Sequence, residues 1–453
     1  MQRHLCCYLR KYRIILLNGL TQFSEKILMT KKLKVILLFK KYALYFKNAS
    51  LYFLVTIITS LIGLVVFPFM AKNMSPEDYN ITGYFTSFNL LLLPLLNFSL
   101  ITYYTRNYFK FSEERRIVVA DTLLKALLML GAVLIPLVTL GFTIFFKLTN
   151  VALPIFPFFL FAVISTFFNN FLTLLQVKYR MQRKANKYFK LTLTSTLIST
   201  SLTLLMVVGL KWGAFGAMFA PAIVAILVAI YSFKKMYNNN KFERSIMKDA
   251  FHFGWPLSVS AMLWYFVSGI DKAFLEQLND IDNFALYNIG GSVASRLGII
   301  YVALAQTFDP DIYKAIADNQ LKKVVQIIGG IVGTVVVANI VFILLSKPLM
   351  KLLTADRYTM SYMYANVLSL RNVTTALYYS TIVIIVGYGF TKYDLVIRII
   401  GAGFSVLIYK VLIDKFQFIG AAWAQVFSFF ILAIISAFVI IFILKPKISN
   451  NGK

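Results

Sequence analysis

The sequence predicts an all-α integral membrane protein with about twelve transmembrane helices in two six-helix bundles. Apolar residues make up 59% of the 453 residues and charged residues only 14%, with a mean hydropathy of +0.74. The hydropathy divides into about twelve stretches of roughly twenty residues, the length that spans a bilayer. A pattern that recurs after about 205 residues predicts the two bundles. No soluble domain of ordinary size fits in what remains.

The predicted bundles cover residues 48–233 and 251–444, and a basic link, 234–250, joins them. A basic N-terminal segment, 1–47, precedes them and a short tail, 445–453, follows. Prolines and polar residues inside the spans are tolerated where neighbouring helices satisfy the backbone. The predicted spans, in chain order, are 48–71, 83–105, 118–146, 151–177, 189–210, 213–233, 252–275, 285–308, 324–346, 361–388, 393–413 and 419–444.

Three short matches carry the internal repeat. Each half would contain an even number of spans, so the halves share one orientation and a pseudo-two-fold axis along the membrane normal relates them. This duplication is typical of alternating-access transporters that bind substrate between their halves. The matches, at offsets of 204–205, pair Asn186-Lys187-Tyr188 with Thr391-Lys392-Tyr393, Gly216-Ala217 with Gly420-Ala421, and Tyr79-Asn80-Ile81 with Phe284-Ala285-Leu286.

The distribution of Lys and Arg predicts the topology. If the odd-numbered spans run outward, the segments left inside hold 33 of the 46 cations. Cationic residues accumulate on the cytoplasmic side of membrane proteins, so both termini are expected there. The net charge of +28 is explained by attraction to anionic lipid headgroups, and no nucleic-acid partner is expected.

The N-terminal segment carries no clean apolar core with a small-residue cleavage site, so no cleaved signal peptide is predicted. Met29 precedes Thr30-Lys31-Lys32-Leu33-Lys34, which looks like an ordinary start for a membrane protein. We expect residues 1–28 to be an artefact of start-site choice. If they belong to the natural product, the segment would lie along the membrane surface as a basic helix.

Cysteine and histidine are too scarce for metal or thiol chemistry. The two cysteines, Cys6 and Cys7, are adjacent, and the two histidines, His4 and His252, are far apart. Neither pair has a spacing typical of a zinc site or a catalytic triad. We therefore expect no catalytic residue, no metal and no cofactor.

Four cations fall inside predicted spans, and these are the candidate binding residues. Arg296 follows the small residues Gly290 to Ser295, and Arg371 lies well inside its span. Lys125 and Arg398 lie nearer the cytoplasmic ends of theirs, where snorkelling to the headgroups is the alternative. A central cation costs roughly 2.5–3.5 kcal/mol on insertion scales, so it usually faces water, a partner or a ligand.

Asp271, late in the seventh predicted span, is the candidate partner of these cations. It would be a counter-charge to a cavity arginine or a titrating group that couples transport to H⁺ or Na⁺. The alternative is a helix-end carboxylate neutralised by Lys272. Because cations outnumber carboxylates inside the spans, the cavity should attract anions, and a phosphate group suits the planar donor fork of arginine.

An ordered series of motifs resembles the Wzx-type polysaccharide or O-antigen flippases of the multidrug/oligosaccharidyl-lipid/polysaccharide exporter superfamily. The resemblance covers about residues 42–445, and Asn80 departs from it where the family more often has glycine. The motifs are Met74-Ser75-Pro76-Glu77-Asp78-Tyr79, Gly213-Ala214-Phe215-Gly216-Ala217, Phe253-Gly254-Trp255-Pro256-Leu257, Gly269-Ile270-Asp271-Lys272-Ala273-Phe274, Phe284-Ala285-Leu286-Tyr287-Asn288-Ile289, Phe308-Asp309-Pro310-Asp311-Ile312-Tyr313-Lys314 and Gly420-Ala421-Ala422-Trp423-Ala424.

The resemblance implies a bacterial inner-membrane protein that moves an undecaprenyl-pyrophosphate-linked oligosaccharide to the periplasmic leaflet. Its two bundles would form a V around a central cavity and rock about it. The family's cationic lumen would correspond to Arg296, Arg371, Arg398 and Lys125, of which we favour the first two. Expected partners are the lipid-linked glycan, membrane lipids, a glycan polymerase and a chain-length regulator.

Three other functions compete with this interpretation. A multidrug antiporter would share the fold but favour acidic residues in its cavity. A peptidoglycan-precursor flippase is chemically closer, and only genomic setting or rescue of a flippase mutant would separate it. A membrane glycan polymerase, which is an enzyme, generally needs a large outer loop, whereas the longest outer link here is about fourteen residues.

Overall fold

The computed structural model describes residues 51, 54–318, 320–388 and 390–444, and these residues form helices and turns without a strand. The predicted N-terminal segment, 1–47, and tail, 445–453, lie outside them. The first half contains α1 Leu54–Asn73, α2 Pro76–Ser87, α3 Asn89–Asn97, α4 Leu100–Asn107, α5 Glu113–Leu148, α6 Phe158–Met181, α7 Ala185–Leu204 and α8 Gly213–Met236. The second half contains α9 Arg244–Ser268, α10 Asp271–Glu276, α11 Ile281–Ala294, α12 Gly298–Ala317, α13 Leu321–Leu353, α14 Tyr362–Gly387 and α15 Thr391–Phe438.

The helices are long and apolar, as the hydropathy predicts. Within the described part of the chain, nine helices are long and apolar enough to cross a membrane, and ten if the bent unit α2–α4 counts as one span. This unit bends by 63° at Phe98 and Ser99, which both adopt the left-handed conformation. The predicted class, an all-α integral membrane protein, is confirmed. The arrangement of twelve spans in two bundles stays a prediction.

The longest helix, α15, contains a break that matches the boundary between the last two predicted spans. Gln417 has φ 50° and ψ −130°, outside helical values. Gly401, before the break, packs against Leu432, after it, and a Cβ added at Gly401 would lie only 2.9 Å from Leu432 Cγ. Two residues at nearly equal distances on either side of Gln417 can touch only if the chain folds back there. The two parts of α15 therefore run antiparallel.

Two pairs of residues 204 positions apart have similar backbone geometry. Gly213 and Gln417, 204 residues apart, begin equivalent helical segments, and both have positive φ, 49° and 50°. Gly216 and Gly420, also 204 apart, each lie against the preceding helix, so a Cβ would stand 3.1 Å from the carbonyl carbon of Met206 or 2.6 Å from that of Leu412. Glycine permits this close approach because it has no Cβ.

The two halves meet along α2 and α11, and again along α3 and α9. Gly83 of α2 and Asn288 of α11 are 205 residues apart, and a Cβ at Gly83 would lie 2.6 Å from Asn288 Nδ2. A contact between equivalent positions lies on the axis that relates two copies. Gly254 of α9 likewise packs against the backbone of Phe98 at the α3–α4 bend.

Side-chain caps fix where the helices at this interface begin. Ser75 accepts a hydrogen bond from the Asp78 amide, while Asp78 accepts one from the Ser75 amide at 2.8 Å, and Pro76 occupies the first turn of α2. This reciprocal capping satisfies donors that a helix start leaves free. Asp78 also accepts from the Ala214 amide at 2.6 Å, which ties the start of α8 to α2. Asp280 caps α11 by accepting from Asn283.

Candidate functional site: a cationic cavity between the halves

Two hollows lie at the contact between the two halves, and a third adjoins them from within the second half. The central hollow, about 220 Å³, includes Ser87, Asp271, Lys272 and Arg371 in its lining. The α1-side hollow, about 340 Å³, shares Lys272 with it and adds Arg296. The α12-side hollow, about 640 Å³, shares Arg371 with the central one. The three hollows adjoin one another through shared lining residues and are together named the cavity.

Arg296 lies where the helix pattern changes. A short 3₁₀ turn, Ser295–Leu297, separates α11 from α12, and such turns inside long helices often mark functional positions. The Arg296 Nη1 donates to the Ser60 carbonyl at 3.2 Å, and the guanidinium lies close against Gly63. Its Nε is buried without a hydrogen-bond partner. The guanidinium therefore has hydrogen-bonding capacity that the described residues do not use.

Arg371, on α14, forms the wall between the central and α12-side hollows. Its Nη1 donates to Gln425 Oε1 at 2.6 Å and to Ser268 Oγ at 3.4 Å. Both partners are neutral, and the ion pairs found within the described residues do not include Arg371. Its positive charge is therefore not cancelled by direct contact.

Asp271 lies at the break between α9 and α10 and is fully buried. One carboxylate oxygen accepts hydrogen bonds from Tyr287 Oη and Gln425 Nε2, each at 2.6 Å, and the other has no partner. Because Gln425 accepts from Arg371 and donates to Asp271, it links the two charges without letting them touch. This geometry agrees with a counter-charge role for Asp271.

Lys272 is a functional candidate that sequence reasoning placed only at the edge of a span. It lines both the central and α1-side hollows and donates to the Gly83 carbonyl at 3.0 Å. No ion pair joins it to Asp271 among the described residues. Lys272 belongs to one of the motifs on which the family resemblance depends. Its place in that motif was the sequence signal that could have identified it. Gln425, directly after another such motif, was also missed.

The remaining two predicted candidates lie outside this cavity. Arg398 pairs with Asp394 at 2.7 Å and lies 5.2 Å from the Trp264 ring. Lys125 Nζ lies 3.6 Å from Asp121 Oδ2 and donates to the Asn240 carbonyl. This hydrogen bond holds the link between the halves, which contains Asn240, against α5. Neither lines the three hollows. Their binding role stays a prediction, and the geometry favours a structural one.

The cavity carries more positive than negative charge. Lys272, Arg296 and Arg371 line it against two carboxylates, Asp271 and Asp309, the latter in the α12-side hollow. An anion entering the cavity would meet guanidinium and ammonium donors in surroundings that screen charge poorly. Where the chain is described, no group of three His, Cys, Asp or Glu residues could hold a metal ion.

Comparison with known proteins identifies the family. Solved structures with the same fold include an inward-facing multidrug resistance MATE family transporter of the MOP superfamily (15% identity, TM-score 0.63, covering 83% of this chain and 92% of that one). They also include lipid II flippase MurJ, inward closed (15%, 0.63, 85% and 86%), and the MATE multidrug transporter DinF-BH (15%, 0.59, 88% and 94%). No curated protein matches this sequence. The polysaccharide biosynthesis protein family matches residues 45–310, more than half of the chain, so this multi-pass membrane protein belongs to that family.

Proposed function

We propose that this protein is a flippase for a lipid-linked oligosaccharide. It moves an undecaprenyl-pyrophosphate-linked repeat unit of O-antigen, capsule or exopolysaccharide from the cytoplasmic to the periplasmic leaflet of the bacterial inner membrane. The observation that carries the proposal is the convergence of Lys272, Arg296 and Arg371 on one cavity between the halves. Membership of a polysaccharide biosynthesis family supports a glycan substrate.

The pyrophosphate is the part of such a substrate that the cavity would hold. Its oxygens accept hydrogen bonds in the fork geometry that arginine offers, and lysine adds a point charge. The unpartnered Arg296 Nε and the neutral partners of Arg371 leave both side chains able to gain by meeting an anion. The prenyl chain stays in lipid, where its burial requires no polar partner.

Contacts at one end of the interface support alternating access. Asn80 donates to the Ile281 carbonyl at 2.8 Å, Arg357 to the Lys72 carbonyl at 3.0 Å and Tyr358 Oη to the Met74 carbonyl at 2.9 Å, each joining the two halves. In the predicted topology this end faces the periplasm. Release on that side requires these hydrogen bonds to break, and loading from the cytoplasmic side requires the contacts near the opposite end to separate, where the Ser99 and Ser258 hydroxyl oxygens lie 2.9 Å apart.

Asp271 supplies the means to couple transport to an ion gradient. Its unpartnered oxygen would bind H⁺ or Na⁺, and Gln425 would transmit the loss of negative charge to Arg371. The positive charge felt by the pyrophosphate would then rise. Binding of substrate and binding of the cation at Asp271 would thus be thermodynamically linked.

The competing functions differ in what the cavity should attract. A peptidoglycan-precursor flippase would hold the same pyrophosphate, so it remains the nearest alternative. A multidrug antiporter takes up cationic compounds, which three cations in one cavity would repel. A glycan polymerase is disfavoured because the links between the described helices are short, for example residues 149–157 between α5 and α6.

The test replaces Arg296 or Arg371 by Ala in cells that depend on this protein for glycan export. Losing one partner of a buried charged hydrogen bond costs about 2–5 kcal/mol, so export should fall at least about thirtyfold. Surface glycan is measured with specific antiserum and membrane insertion by immunoblot. Arg180→Ala, an exposed arginine at the end of α6, is the matched control. Normal export in both cavity variants would remove the proposed role.

A further inference from the structure

The α12-side hollow differs from the rest of the interface in its position and lining. It is the largest of the three adjoining hollows, and all its lining residues belong to the second half, chiefly α12 and α14. Eight of its fifteen lining residues carry a polar side chain. Both polar and apolar side chains therefore line the hollow, which suits a ligand that has hydroxyl groups as well as C–H faces.

A second large hollow provides the contrast. It measures about 580 Å³ and lies between α3, α5 and α9, and of its eleven lining residues only Tyr265 has a polar side chain. This apolar hollow suits a hydrocarbon chain, whose burial is favourable without specific partners. The molecule therefore offers different surfaces to the apolar and polar parts of one amphiphile.

Aromatic rings give the α12-side hollow the chemistry of a sugar site. Tyr301 of α12 and Tyr379 of α14 have ring centroids 5.9 Å apart with an interplanar angle of 18°. A pyranose ring presents one face of weakly polarised C–H groups, and tyrosine offers an electron-rich face to pack against it. Asp309 lies two turns after Tyr301 on α12, and an ionised carboxylate accepts hydrogen bonds from hydroxyl groups.

The position of Arg371 connects this hollow to the pyrophosphate. Arg371 lines both the central hollow and the α12-side hollow. A pyrophosphate held at this guanidinium would place its covalently attached sugar next to the wall that Tyr379 and Asn372 form. The sugar is attached directly to the pyrophosphate, and the two hollows share boundary residues. The sugar can therefore enter the α12-side hollow while the pyrophosphate stays at Arg371.

We infer that the α12-side hollow binds the sugar unit attached to the pyrophosphate. A free face of the stacked Tyr301–Tyr379 pair packs against its C–H face, and Asp309 accepts hydrogen bonds from its hydroxyl groups. This inference rests on the proposed function and adds that the second half alone recognises the sugar. In this inference the pyrophosphate binds to Arg296, Lys272 and Arg371. The sugar binds to residues of α12 and α14.

The test measures binding of two kinds of probe lipid to the purified full-length protein in nanodiscs. One probe is undecaprenyl pyrophosphate, and the others are the same lipid carrying N-acetylglucosamine or galactose. Asp309→Asn should weaken binding of at least one sugar-bearing probe about tenfold, the loss expected for a hydrogen bond to a charged group. Binding of undecaprenyl pyrophosphate should change less than about twofold.

The controls distinguish the contribution of the tyrosine ring from that of its hydroxyl group. They also distinguish a local loss of binding from misfolding. Tyr301→Leu should weaken the same sugar-bearing probe, whereas Tyr301→Phe, which keeps the ring, should restore it. Asp311→Asn, an exposed carboxylate on the same helix, should change nothing. Equal loss for probes with and without sugar, or wild-type protein that does not favour either sugar-bearing probe, would overturn the inference. Failure of Arg296→Ala to weaken undecaprenyl pyrophosphate would instead overturn the proposed function.

Discussion

The two halves share a backbone plan but differ in the charge they present to the cavity. The cations Lys272, Arg296 and Arg371 all come from the second half. At the repeat offset of 205, the corresponding residues of the first half are Phe67, Leu91 and Thr166. The first half contributes only uncharged residues to the cavity lining, among them Phe67, Met70 and Thr86.

Two pairs of polar side chains in the first half hydrogen-bond to each other within that half. Thr166, the equivalent of Arg371, donates to Asn89 at 2.8 Å, and Asn97 donates to Asn170 at 2.9 Å. A satisfied buried network gives rigidity and a defined fold. Cations that keep free donors in the second half are instead typical of a binding site. The cavity cations that would bind an anionic ligand are thus confined to the second half.

The largest stability effect should come from the contact that joins the halves. Gly254→Ala would place a methyl group against the Phe98 backbone, which cannot move aside as a side chain can. We expect a loss of about 1–3 kcal/mol in stability, the usual cost of overpacking. The midpoint of heat-induced aggregation in detergent measures it. Gly403→Ala, where nothing lies within 4 Å of a Cβ, should stabilise α15 by a few tenths of a kcal/mol or more.

A smaller effect should follow when the counter-charge is neutralised. Asp271→Asn keeps the size and the acceptor oxygen of the side chain but removes its negative charge. The cavity becomes more positive, so we expect undecaprenyl pyrophosphate to bind about threefold more tightly, a modest Coulomb effect across one intervening residue. Glycan export should fall, because the coupling group is lost. Binding that is unchanged would mean that the cavity does not sense this carboxylate.

The smallest effect on binding should come from the cations outside the cavity. Lys125→Ala and Arg398→Ala should each leave the affinity for undecaprenyl pyrophosphate within about twofold of the wild-type value, as expected for sites distant from the ligand. Titration of the same probe lipid measures this. A tenfold loss in either variant would place that residue in the pathway of the substrate. It would also weaken the contrast between cavity cations and structural cations.

The sequence distinguishes these four cations by their neighbouring residues as well as by their positions within the spans. Lys125 and Arg398 each have a carboxylate four residues earlier, Asp121 and Asp394, and side chains at that spacing meet on a helix. At the same spacing, Arg296 and Arg371 have Ser292 and Val367. The presence or absence of a local partner therefore separates the structural pair from the cavity pair.

Other features depend on tertiary contacts that no local pattern carries. The fold class follows from the hydropathy, and the division into halves follows from the repeat. Both can be recognised from the order of residues along the chain. The role of Lys272 depends on the break between α9 and α10 and on its contact with Gly83, 189 residues away. The link from Asp271 to Arg371 likewise depends on Gln425, which reaches both only after the chain reverses at Gln417.

A cryo-electron microscopy reconstruction of the protein with undecaprenyl pyrophosphate bound would test the central claim most directly. Density for the pyrophosphate is expected between Arg296 and Arg371, within hydrogen-bond distance of both guanidinium groups or of Lys272. Density for the pyrophosphate only at the basic ends of the helices, with the cavity empty, would contradict it.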